Sequence, residues 1–208
     1  MRSRRRRSAR GGSGDSRNRG GPSQSFGSPL IEPRRIALGL GSSLPPRRIR
    51  IEDTLRRLAT DPRVSITRVS PWVRTPPLAG GTARNWFLNG VALLMTDLDP
   101  FELLERCIAL EAQAGRRRQL HWADRPLDLD LLLVEDEVIE TERLVVPHPA
   151  IARRPFVLEP LLKIWPDAVD PRTGRRYASL EPAPGPRPAP AGCSSLRWIA
   201  GLPVIRYI

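Results

Sequence analysis

The stretch Asp124-Arg125-Pro126-Leu127-Asp128-Leu129-Asp130-Leu131-Leu132-Leu133 constrains this chain more than any other. It reads as a buried β-strand. Side chains alternate faces at about 3.3 Å rise per residue, so Asp128 and Asp130 share one face, roughly 6–7 Å apart. Leu127, Leu129 and Leu131 point the other way, into a core. Two carboxylates on one face of such a strand need compensation, because unpaired buried charge is costly. A divalent cation or a pair of arginines would supply it. Arg125 is adjacent, and Arg116, Arg117 and Arg118 lie just upstream. Carboxylates that suit Mg²⁺, beside arginines that suit phosphate, are the parts of a phosphoryl-transfer site. A plainer reading pairs one Asp with Arg125 and leaves the other to water.

Charge divides the chain. Residues 1–30 hold eight arginines against Asp15 alone, so +7 of the net +12 lies in that segment. It has almost no apolar residue before Phe26 and is expected to be a disordered tail, with at most non-specific affinity for nucleic acid or anionic lipid. The remaining length suffices for one domain, expected over 31–180. Residues 181–192 are rich in Ala, Pro and Gly and read as a stiff linker. Residues 195–208 are short and apolar, a candidate edge strand, so 181–208 stands apart as linker and terminal segment. No run of about 18 apolar residues marks a membrane span. Cys107 and Cys193 have no framework or zinc spacing and read as free thiols in a reducing compartment, which places the protein in the cytoplasm.

Periodicity orders the rest. Residues 35–41 form a short strand entering a Gly/Ser turn, and 46–60 form a helix with Ile49, Leu55 and Leu58 as its apolar face. Residues 64–73 alternate as one half-exposed strand, 74–81 are loop, and 86–96 are a strand in which Asn89 is an unexpected amide. Asp99-Pro100 caps a helix over 100–114, with Phe101, Leu104, Ile108 and Ala112 at helical spacing, ended by Gly115. The loop 115–126 carries four arginines, His121 and Trp122. After the carboxylate strand (127–134), His148 sits between Pro147 and Pro149, which restrict the backbone on both sides and favour a positioned donor.

Taken together, these motifs resemble the 6-hydroxymethyl-7,8-dihydropterin pyrophosphokinase family. The resemblance rests on Ile36-Ala37-Leu38-Gly39, Arg74-Thr75-Pro76-Pro77-Leu78, Phe87-Leu88-Asn89, Glu111 with Gly115-Arg116-x-Arg118, Trp122-x-x-Arg125-Pro126-Leu127-Asp128-Leu129-Asp130, Val146-Pro147-His148-Pro149 and Arg154-Pro155-Phe156, in order. It implies an α+β fold, a ferredoxin-like β-α-β-β-α-β core with an antiparallel sheet. It implies transfer of the terminal two phosphates of ATP, as pyrophosphate, to the pterin's hydroxymethyl oxygen with release of AMP, in folate synthesis. Asp128 and Asp130 would then hold two Mg²⁺ ions. Arg116, Arg125 and His148 would contact phosphates, and Arg118 and Trp122 would belong to a closing loop. Asn89 would read the pterin edge between Phe87 and Phe156, with Thr75, Pro76, Leu78 and Arg154 also at that substrate. Leu104, Glu111, Arg143 and His148 would serve the nucleotide. The family's Gly-Ser-Asn after the first strand is Gly41-Ser42-Ser43 here, and Val73 stands where an aromatic residue is common. The expected partners are ATP and the pterin, with no membrane, no specific nucleic acid and a monomeric state. Another D-x-D transferase and an Arg-rich RNA-binding protein are the competing readings.

Overall fold

Three strands with matching apolar alternation build the centre of the sheet. β1 (Arg34–Ser42) lies between β4 (Phe87–Thr96) and β5 (Asp128–Val134), antiparallel to both. The computed structural model describes residues 32–77, 80–116, 123–180 and 188–191. On the far side of β4 lie β2 (Val64–Val69) and β3 (Val73–Thr75), also antiparallel to it. The stretch expected as one strand over 64–73 is thus broken at Ser70-Pro71-Trp72. Pro71 has no N–H to give a ladder, and Ser70 takes over, its N–H donating to Val91 O at 2.8 Å and its Oγ accepting from Val91 N at 2.9 Å. A further edge strand, β10 (Ala189–Pro190), pairs with β3. It falls inside the Pro-rich stretch expected as a linker. The tail 1–30 and the candidate strand at 195–208 lie outside the described residues, as does Cys193.

One sheet face is packed by α1 (Arg47–Leu58) and α2 (Pro100–Gln113). Ile36, Leu38 and Leu40 of β1, Leu88, Ala92 and Leu94 of β4, and Leu129 and Leu131 of β5 form this core with Ile51, Leu55, Leu103 and Cys107. In α1 the buried row is Ile51, Thr54, Leu55 and Leu58, and Ile49, expected inward, is 64% exposed. Two residues from Ile51 is about 200° around a helix, so both cannot face the sheet. In α2 the buried row is Pro100, Leu103, Cys107 and Glu111, one residue away from the expected stripe, and Phe101 and Leu104 flank the core. Asp99 caps this helix in a capping box with Glu102. Cys107 is a free, buried thiol whose pKa burial pushes up to about 12.

The other face is half covered. Ala37, Val91, Leu93, Leu132 and Leu133 pack under α3 (Pro155–Ile164) with Leu158, Leu161 and Ile164. Among the described residues the rest of that face is uncovered and forms the floor of a cleft. Three small elements complete the fold: the pair β6 (Ile139–Glu140) and β7 (Val145–Val146), the pair β8 (Val169–Asp170) and β9 (Arg175–Arg176), and a 3₁₀ turn at Tyr177–Ser179. The architecture is mixed helix and antiparallel sheet. Among the described residues, no helix is long and apolar enough to cross a membrane.

Candidate active site

The open half of the sheet holds a cleft of about 260 Å³. Its floor follows from strand register. Gly41 pairs with Asn89 on one side and with Asp128 on the other, and Gly39 pairs with Asp130. Asn89, Gly41 and Asp128 thus form one row across three strands. Two inter-strand spacings put the amide and the carboxylate roughly 10 Å apart. Glycine keeps the space between them clear: a Cβ at Gly41 would sit 3.2 Å from Asn89 Oδ1 and 3.4 Å from Asp128 Cβ.

At the amide end, Asn89 is buried and its Nδ2 donates to Thr75 Oγ1 at 2.8 Å. That bond fixes the amide, so Oδ1 is the atom offered over Gly41. Phe87, two residues earlier on the same strand face, and Phe156 at the start of α3 both line the cleft, as do Thr75 and Pro76. Flat aromatic walls with one oriented amide suit a planar heterocycle.

At the carboxylate end, Arg125 and Arg116 both reach Asp128 Oδ1, at 2.7 and 2.8 Å. Arg116 also pairs with Glu111, whose Oε1 accepts the Leu129 N–H at 2.7 Å. Burial holds the Glu111 pKa above the usual carboxylate range. Glu111 ends the buried row that Leu103 and Cys107 bring to the sheet, and there its carboxylate satisfies a β5 donor and holds Arg116 toward Asp128. Asp130 has no hydrogen-bond or ion-pair partner among the described residues. Burial, and then the neighbouring Asp128 charge, push its pKa to about 7, against the pull of Arg154 and Arg125.

His148 closes the cleft beyond Asp130. Its N–H donates to Leu132 O at 2.8 Å, and its Nδ1 accepts from Ala150 N at 3.0 Å. The ring proton of the neutral form therefore sits on Nε2. Burial, with Arg154 nearby, lowers its pKa despite Asp128, so the ring is a neutral donor near pH 7.

The family model described as 7,8-dihydro-6-hydroxymethylpterin-pyrophosphokinase (HPPK) matches residues 37–166. The chain belongs to the HPPK family. It is 40% identical to the 2-amino-4-hydroxy-6-hydroxymethyldihydropteridine pyrophosphokinase of Methylorubrum extorquens over 135 residues, 65% of this chain and 85% of that protein. The protein of the same name from a Synechocystis species is 38% identical over 143 residues, covering 69% of this chain and 72% of its own. A crystal structure of Plasmodium falciparum HPPK-DHPS with pteroate superposes with a TM-score of 0.55 at 13% identity, a likeness of fold. It covers 74% of this chain and 43% of that one.

Of the residues that the HPPK resemblance implied, Thr75, Pro76, Phe87, Asn89, Arg125, Asp128, Asp130, His148, Arg154 and Phe156 all line the cleft. Arg116 and Glu111 stand behind it, acting on Asp128 and Leu129. Leu104 packs on the flank of the helical core, and Arg143 is largely exposed in an ion pair with Glu105, so neither lines the cleft. Leu78, Arg118 and Trp122 lie outside the described residues. Two groups escaped the sequence reading. Gly39 and Gly41 are the cleft floor, and the alternation Ala37-x-Gly39-x-Gly41 was their signal. Ser43 donates its N–H to Arg125 O at 2.9 Å and accepts Arg125 N–H on Oγ at 2.8 Å, pinning the arginine's backbone to the end of β1. No local pattern announces that contact.

Proposed function

We propose that this chain transfers pyrophosphate from ATP to the hydroxymethyl oxygen of 6-hydroxymethyl-7,8-dihydropterin and releases AMP. The observation that carries the proposal is the row Asn89–Gly41–Asp128. It puts an oriented amide and a carboxylate at opposite ends of one cleared floor, which supports a heterocycle at the first and phosphates at the second. The pterin lies between Phe87 and Phe156 with its amide edge on Asn89 Oδ1. Its hydroxymethyl oxygen then points toward Asp128 and Asp130. That oxygen attacks the β-phosphorus, the bond from the bridging oxygen to that phosphorus breaks, AMP leaves with the bridging oxygen, and the hydroxyl proton is released.

Mg²⁺ suits the carboxylate end. It binds through one or two carboxylates plus substrate phosphates and keeps several waters. Asp128 and Asp130 present that donor set on one strand face, and the burial and neighbouring charge that raise the Asp130 pKa are both costs that a cation relieves. Asp128 and Asp130 would hold such ions, which when bound would supply cancellation of the phosphate charge. Arg125 and Arg116 swing from Asp128 toward phosphate oxygens by charge-assisted hydrogen bonds. His148 Nε2–H adds a neutral donor. Positioning and charge cancellation supply most of the rate, since in-line phosphoryl transfer needs little covalent help.

The sheet order β5-β1-β4, with β2 and β3 beyond β4 and both long helices on one face, supports a ferredoxin-like reading of the fold. The free Cys107 supports a reducing, cytoplasmic setting. The deciding experiment is AMP release from ATP with and without the pterin. AMP that appears only with the pterin, with a pyrophosphorylated pterin in equal amount, is the expected result. AMP formation independent of the pterin would overturn the reading.

A further inference from the structure

Asp124 stands between two cleft residues, Ala123 and Arg125, yet turns its own side chain away from the cleft. Its carboxylate reaches across to the connection between β3 and β4. Oδ1 accepts the Asn85 N–H at 3.1 Å, and Oδ2 accepts the Arg84 N–H at 3.1 Å and Asn85 Nδ2 at 2.9 Å. Burial alone would raise its pKa, but these donors outweigh burial and lower it, so the group is charged throughout the working range.

Both ends of this link are fixed to the site. On one side, Trp86 follows Asn85 and leads directly into Phe87. Its ring meets the guanidiniums of Arg47 and Arg74, whose Cζ atoms are 3.8 and 4.2 Å from the ring centroid, and Arg47 Nε donates to Trp86 O at 3.2 Å. On the other side, the Arg125 backbone is tied to Ser43, and its guanidinium to Asp128. One carboxylate therefore joins the wall that presents Ala83 and Phe87 to the residue that meets the phosphate end. The two segments are remote in sequence, 39 residues apart, and have no covalent reason to move together.

We infer that Asp124 is a positioning residue that couples the two substrate subsites, so that ordering of one wall by its ligand orders the other. This rests on the substrate assignment proposed above. Without the link, each ligand alone bears the ordering of its own wall on binding. With it, the first ligand leaves less disorder for the second to remove, which is positive coupling. The proton count does not change, because the carboxylate stays ionised.

The test is a binding cycle on the full chain by calorimetry. The pterin Kd is measured with and without a non-hydrolysable ATP analogue and Mg²⁺, and their ratio is the coupling factor. Wild type is expected to show a factor of about 10. Asp124→Ala should bring the factor to about 1, while the Kd of the analogue alone changes less than about twofold. Asn85→Ala leaves Asp124 its two backbone donors and should give an intermediate factor, which keeps the test decisive if Asp124→Ala fails to fold. An unchanged factor in the variants, equal weakening of both ligands with the factor intact, or a wild-type factor of 1 overturns the inference. Asn89→Ala separates the premise: if it leaves pterin affinity unaltered, or if wild type binds no pterin, the substrate assignment itself has failed.

Discussion

Asp130→Asn tests the electrostatics of the carboxylate strand through stability. The native Asp130 pKa, about 7, lies above an unfolded aspartate near 3.9. The folded state thus holds a proton that the unfolded state gives up. Its contribution is fully present below about pH 4 and is lost as pH rises through 7. About 3 pK units at 1.36 kcal/mol each set an upper bound of about 4 kcal/mol. The residue keeps partial exposure and shares its titration with Asp128, which together cut this to about 2 kcal/mol. Without metal, Asp130→Asn should therefore be more stable than wild type at pH 8 by about 2 kcal/mol, or about 6 °C in Tm for a domain of this size. The gap should close at pH 4. Added Mg²⁺ should raise the wild-type Tm at pH 8 and move the variant much less, since only the charged site binds the ion. Turnover of the variant should fall by about 100-fold or more. The measurement is thermal unfolding from pH 4 to 9, with and without Mg²⁺. A difference between the two proteins that is independent of pH, or a variant less stable than wild type at pH 8, refutes the argument.

Three further outcomes follow from other parts of the structure. Gly41→Ala places a Cβ 3.2 Å from Asn89 Oδ1, so the pterin KM should rise about tenfold while the nucleotide KM holds, as steady-state kinetics with each substrate varied would read. Glu111→Gln keeps an acceptor for the Leu129 N–H but removes the charge that holds Arg116. Turnover should drop by about tenfold with Tm within a few degrees, and an unaltered kcat would show that Arg116 needs no such anchor. Deleting residues 1–30 should alter neither Tm nor turnover, because that composition buries nothing. A fall in either would show that the segment docks on the domain.

Features whose cause is local were legible in the sequence. The Asp128/Asp130 alternation and the Asp99-Pro100 cap each depend on neighbours within a few residues, whereas Arg74 and Thr75, expected as loop, are strand β3 because β4 pairs with them. Features whose cause is distant were not. Glu111, which the resemblance gave to the nucleotide, instead meets the Leu129 N–H and Arg116, partners 18 and five residues away that helical periodicity does not announce. The break at Pro71 did leave a trace, since proline inside a strand argues against a continuous ladder. The Asp124–Asn85 contact left none. Gly90 is similar: a Cβ there would lie 2.6 Å from the Trp72 ring, so it is the indole that demands glycine.

The short strand β10 has a consequence for how copies of this chain meet. Ala191 N–H donates to Trp72 O at 3.0 Å, so Ala191 and, two residues back, Ala189 turn their amides toward β3. Pro190, between them, turns its nitrogen outward, where it has no hydrogen to offer. The exposed border of the sheet is thus finished with a residue that gives an incoming strand no donor at that point. A chain ending before Ala189 would return β3 itself to the surface, with Arg74 and its neighbours free to template a second copy edge to edge.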